Sequence, residues 1–82
     1  ISLSGEGLEL IAFKKAEKEN CWIIRIVETH GRKSKGTLGF KGALIECGLI
    51  EREELGERLE VEDEYMLCLS AFEIKTYKIF II

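Results

Sequence analysis

Apolar and polar residues alternate along most of this chain with a period of two, and short polar or glycine-bearing breaks interrupt the alternation. That period belongs to extended backbone, whose successive side chains point to opposite sides. The first such segment runs from Leu8 to Lys15, with Leu8, Leu10 and Ala12 expected on one face and Ile11 and Phe13 on the other. The polar run Lys18-Glu19-Asn20 ends it. Cys21 to Glu28 carries the strongest strand signal, being rich in β-branched and aromatic residues. Trp22, Ile24 and Ile26 share one face, while Cys21, Ile23, Arg25 and Val27 share the other. Apolar groups on both faces predict a central strand covered on both sides.

Thr29-His30-Gly31-Arg32 predicts a turn in which Gly31 takes positive φ. Ser34 to Lys41 is a weaker strand, diluted by Gly36 and Gly39, and Lys41-Gly42 forms the next turn. Ala43 to Ile50 returns to strand character, with Ala43, Ile45, Cys47 and Leu49 on one face. Glu51 to Glu62 has helical propensity, but Gly56 interrupts it, no good N-cap precedes it and its apolar residues are sparse. It reads as a polar connection with a short strand near Glu57 to Val61, a single helical turn being the alternative. After the charged turn Glu62-Asp63-Glu64 comes a strand from Tyr65 to Ser70, with Tyr65, Leu67 and Leu69 opposite Met66 and Cys68. Glu73 to Ile81 closes the chain. Six or seven short strands without alternating helices predict an all-β fold, a small antiparallel β-sandwich. Residues 1–7 read as a lead-in and 8–82 as the sandwich domain; the initial Ile1 in place of Met points to an excised or processed piece.

Eighty-two residues make one domain, which buries only about 60–65% of the surface its unfolded chain exposes. An internal catalytic cavity is hard to support at that size. The net charge of −3, from 12 basic and 15 acidic residues, is too mild and mixed for a nucleic-acid surface. The basic cluster Arg32-Lys33-Ser34-Lys35 is short and reads as a solvated turn. No apolar run approaches the roughly 20 residues of a membrane helix, so no membrane partner is expected. The apolar end Ile79 to Ile82 fits a last strand or a surface against another domain. Cys21, Cys47 and Cys68 are an odd number without close pairing. Each lies in an apolar run, which predicts buried thiols and a reducing cytoplasmic location.

Site chemistry is sparse. The one histidine, His30, lies in a turn, and no Gly-x-Ser-x-Gly elbow is present. His30 and three scattered cysteines lack zinc-site spacing, and Glu51 to Glu64 lacks the pattern of a calcium loop. No metal or cofactor site is expected in this chain. The fourteen glutamates make close pairs inevitable, but glycoside hydrolysis needs two carboxyls about 5–9.5 Å apart with one pKa raised. Of the aromatic residues, Tyr77 and Phe40 are the candidates for a carbohydrate contact, the remainder being better placed in the core.

Four phrases in order carry a resemblance: Ala12-Phe-Lys-Lys-Ala-Glu17, Ile24-Arg-Ile-Val-Glu-Thr-His-Gly31, Gly48-Leu-Ile-Glu51 and Phe72-Glu-Ile-Lys-Thr76. Together they resemble the C-terminal β domain of α-mannosidases of glycoside hydrolase family 38, although Ala71 stands where the family often has proline. The resemblance implies an accessory domain of a retaining α-mannosidase. Its nucleophile, general acid and zinc ligands would lie in an N-terminal catalytic domain, so no catalytic residue carries over. The expected partners are the remaining domains of that enzyme, and residues 1–7 would link to them. Lys14, Glu17, Arg25, Glu28, Glu51, Phe72, Glu73 and Lys75 are the structural or interface candidates. Arg25, flanked by Ile24 and Ile26, would need a carboxylate partner, with Glu17, Glu51 and Glu73 available. The competing reading for these charges is a set of surface cross-strand pairs worth under about 1 kcal/mol each. A free-standing carbohydrate-binding module and a generic sandwich interaction domain are the alternative functions.

Overall fold

The computed structural model describes residues 1–48 and 53–82. The predicted strand end Leu49-Ile50 and the candidate Glu51 lie outside the described residues. Eight strands form in chain order: β1 (Ser2–Ser4), β2 (Leu8–Lys15), β3 (Trp22–Glu28), β4 (Ser34–Gly39), β5 (Gly42–Cys47), β6 (Leu59–Val61), β7 (Glu64–Leu69) and β8 (Ile74–Ile81). They make two antiparallel sheets, ordered β1-β4-β7 and β2-β3-β8-β5-β6. The shortest dimension of 20 Å is that of two stacked sheets about 10 Å apart with their outer side chains. The fold is the expected all-β sandwich, with eight strands in place of six or seven. The additional strand is β1, which draws residues 2–4 of the expected lead-in into the small sheet against β4. No helix occurs among the described residues, and Glu57 to Val61 contributes the short strand β6.

The core fills the space between the sheets. Ile24 and Ile26 from β3, Leu44 from β5, Val61 from β6 and Tyr77 and Ile79 from β8 meet Leu38, Leu67 and Leu69 of the small sheet. β3 is an interior strand between β2 and β8, and its outward-facing Ile23 is buried as well. The cover expected on both of its faces is therefore present. Ala43, Ile45 and Cys47 on β5 are buried on that same outer side.

Two face assignments change. The register of β2 against β3 shifts between Leu10 and Ala12, leaving Ile11 as the extra residue of a β-bulge. Leu10 lies opposite Ile26, Ala12 opposite Arg25 and Phe13 opposite Ile24. Opposed residues share a face, so Leu8, Leu10 and Phe13 point inward while Ala12 points outward. Strict alternation cannot anticipate that phase change. The second correction concerns the cysteines. Cys21 and Cys47 are buried, and burial raises both thiol pKa values, but Cys68 is exposed. Cys68 shares the outer face of β7 with Met66, which is exposed as well.

Candidate functional site

β3 ends at Glu28, opposite the core residue Leu8, so the carboxylate points between the sheets and is 0% exposed. A buried charge is tolerable only with strong partners, and here the partners are backbone amides. Glu28 Oε2 accepts from His30 N at 2.8 Å. Oε1 accepts from Gly31 N at 2.7 Å, Arg32 N at 3.1 Å and Phe72 N at 3.0 Å. The Glu28 amide donates to Glu73 O at 3.0 Å, and the Thr29 amide donates to Gly7 O at 2.8 Å. The side chain thus joins the turn after β3 to the turn before β8, and Thr29 ties in the glycine-bearing link before β2. Burial pushes its pKa upward, yet the amides of Phe72, His30, Gly31 and Arg32 outweigh that and hold it below the ordinary 4.5. The group is a fixed carboxylate and an acceptor; the shift runs opposite to that of a general acid.

The turn before β8 holds Phe72 at φ 57°, the one positive φ outside glycine among the described residues. Such backbone is strained for an aromatic residue. Glu73 supports the turn, accepting from Ser70 N at 2.8 Å through Oε1 while its own amide donates to Ser70 O at 3.0 Å. Phe72 is 67% exposed and the edge of its ring lies against Gly31, where an added Cβ would meet Phe72 Cζ at 2.7 Å. Gly31 has φ 78°, as its turn position predicts. The cradle therefore presents an exposed aromatic ring packed against Gly31.

Of the eight expected residues, Glu28, Phe72 and Glu73 come together here. Four others, Lys14, Glu17, Arg25 and Lys75, lie elsewhere. Lys14 is exposed on β2, and Glu17 is exposed in the link from β2 to β3. Arg25 is half-buried on the outer side of β3, opposite Ala12 and Thr76. Lys75 is half-buried on β8 opposite Ile26. The expected carbohydrate contact at Tyr77 or Phe40 is not available, because both side chains are buried in the core. Tyr77 meets Tyr65 edge-on at 5.9 Å.

A second cluster was not anticipated. Lys78 on the central strand β8 has a side chain only 5% exposed. Its Nζ donates to Glu19 Oε1 at 2.5 Å and Glu54 Oε2 at 2.8 Å. Ile23 and Ile45 flank it in register on β3 and β5. The hydrogen bonds to Glu19 and then Glu54 outweigh burial and raise its pKa above 10.5. The available signal was a lysine between Tyr77 and Ile79 in an apolar stretch, but its partners come from two separate connections. Replacing both Glu19 and Glu54 by alanine strands the ammonium and is expected to cost about 3 kcal/mol in urea denaturation. Lys78→Met, whose half-exposed partners can turn to water, should change stability by only about 1 kcal/mol. The stability from the raised pKa is complete below the unfolded value of 10.5 and is lost as pH rises through the folded one. Lys78→Met should lack that alkaline loss.

The model of the glycosyl hydrolases family 38 C-terminal beta sandwich domain matches residues 7–77. The chain belongs to this family. The matched range holds Gly7 and both turns of the Glu28 cradle, and the two phrases Arg25-x-x-Glu28-x-x-Gly31 and Phe72-Glu73-Ile74 are the parts the cradle joins. A search of the curated proteins finds no match. Among the described residues of this family 38 sandwich, no three His, Cys, Asp or Glu side chains are grouped to hold a metal ion.

Proposed function

We propose that this chain is the non-catalytic C-terminal accessory domain of a retaining α-mannosidase, and that it packs against the remaining domains of that enzyme. The family match supports the glycosyl hydrolase parentage. The observation that carries the accessory role is the state of the buried carboxylate. Glu28 is filled by four amide donors and its pKa is lowered, whereas a glycosidase acid needs a raised one. Zinc would be held by the catalytic domain of the parent, in a cytoplasmic enzyme. The buried thiols of Cys21 and Cys47 suit that reducing compartment.

The face assigned to the interdomain contact is the cradle end. There a strained backbone holds an apolar ring toward solvent, and a neighbouring domain of the same enzyme would repay both costs. Phe72→Asn tests the assignment, because asparagine tolerates positive φ. The variant chain should keep its melting temperature within a few degrees. When this chain and the rest of the enzyme are expressed as separate polypeptides, the variant should bind its partner at least about tenfold more weakly. Unchanged binding would reject the cradle end as the contact. Turnover of an aryl α-mannoside by the purified chain would reject the accessory role itself.

A further inference from the structure

The small sheet has three strands and the large one five, so the two layers do not cover each other completely. The shortfall shows on β2, an edge strand of the large sheet. Leu10 and Phe13 point to the core side yet are 41% and 43% exposed, while Ile24 and Ile26 on the neighbouring β3 are fully buried. Ile11, in the bulge, is exposed as well. An open edge with apolar side chains is a template for another strand, and the order of residues along β2 specifies which strand fits.

We propose that β2 pairs antiparallel with β2 of a second copy of this chain, across a two-fold axis normal to the sheet. In such a pairing residue i lies opposite j and j opposite i, and opposed residues point to the same face. A straight strand must then pair residues both odd or both even in number. The bulge changes that rule. Leu8, Leu10, Phe13 and Lys15 face inward, and Glu9, Ala12 and Lys14 face outward. Face-matched partners therefore join one residue before the bulge to one after it. A single register matches every pair outside the bulge: Leu10 lies opposite Phe13, Glu9 opposite Lys14 and Leu8 opposite Lys15. Ile11 and Ala12 of the two copies meet at the axis. Slipping the register by two residues in either direction leaves fewer matched pairs and separates Glu9 from Lys14.

This register does two things at once. Outside, Glu9 and Lys14 oppose each other twice, with unlike charges directly across the strands. Inside, Leu10 and Phe13 of one copy cover Phe13 and Leu10 of the other, filling the region the small sheet leaves open. Bulges and lysines commonly blunt an edge against unwanted partners. Here the bulge sits where its phase change makes self-pairing consistent, and Lys14 meets a glutamate. The product is a continuous sheet of ten strands with a symmetric interface.

Sedimentation equilibrium of this chain over a wide concentration range tests the pairing. The expected result is a reversible dimer. Lys14→Glu, which sets two like-charged pairs across the axis, should weaken the dimer at least about tenfold, as should Glu9→Lys. The combined Glu9→Lys, Lys14→Glu variant restores unlike pairs and should recover the wild-type dissociation constant to within about threefold. Phe13→Asp should give a monomer of unchanged circular dichroism, since the ring is half out of the core. A wild type that stays monomeric up to its solubility limit would overturn the proposal. So would a dimer indifferent to these substitutions, or a charge swap that fails to recover. None of these outcomes touches the contact assigned to the cradle end, which Phe72→Asn reads separately.

Discussion

Glu28→Ala lowers the melting temperature by about 10 °C or more. It strands four amide donors, on His30, Gly31, Arg32 and Phe72, that the carboxylate now satisfies. Two turns from distant parts of the chain lose their common acceptor, and unpaired, partly buried donors cost more than the net worth of the bonds they replace. Glu28→Gln is the informative partner variant. It keeps the shape and one carbonyl oxygen but points an amide donor at one of the N–H groups, so it should fall between wild type and Glu28→Ala. The pH dependence distinguishes charge from shape. The folded pKa of Glu28 lies below the ordinary 4.5. Its contribution is complete above the unfolded value and is lost as pH falls through the folded one. Thermal unfolding followed from pH 5 down should show wild type losing stability in acid and Glu28→Gln losing less of it. Parallel acid profiles for the two would mean that the carboxylate charge is not what the amides hold.

Gly42→Ala has the second large effect, through backbone geometry. Gly42 opens β5 with φ 150°, between Val61 of β6 and Ile81 of β8. An added Cβ would lie 1.8 Å from the carbonyl oxygen of Phe80. Neither atom can move without parting β5 from the central strand. The expected cost is about 4 kcal/mol, roughly 15–30 °C in melting temperature for a domain of this size. Gly56→Ala is the control, because nothing among the described residues lies within 4 Å of the added methyl, and it should stay within about 0.5 kcal/mol. Equal melting temperatures for the two variants would show that β5 and β8 can separate at little cost.

Much of the sandwich is legible in the pattern of side chains. β3, β7 and β8 fall within a residue or two of where alternation puts them, because their apolar positions answer to a sheet with a core beneath it. Gly31 takes the positive φ its turn requires. Other features resist the same reading. Ile11 is an unremarkable strand residue in sequence, and the bulge it forms depends on how β2 and β3 come into register. Tyr77 and Phe40 are buried because β8 lies in the middle of the five-stranded sheet and Phe40 beside it in the core. An aromatic residue in an alternating strand carries no mark of whether its strand is central or at an edge. Cys68 follows the same logic in reverse, since it and Met66 lie exposed on the outer face of the small sheet.

The sequence by itself determined most of the strands and their breaks, the all-β class and the family, because periodicity and short phrases are local properties of the chain; β1 is a strand only through its pairing with β4. The tertiary structure alone decided what the charged residues do. Glu28 was expected to matter, but its acceptor role depends on the Phe72 amide, 44 residues away along the chain. Lys78 looked unexceptional until β8 became central and two distant connections brought Glu19 and Glu54 over it. A buried charge takes whatever partners the fold brings within about 3 Å of it, and no spacing along the chain encodes that meeting.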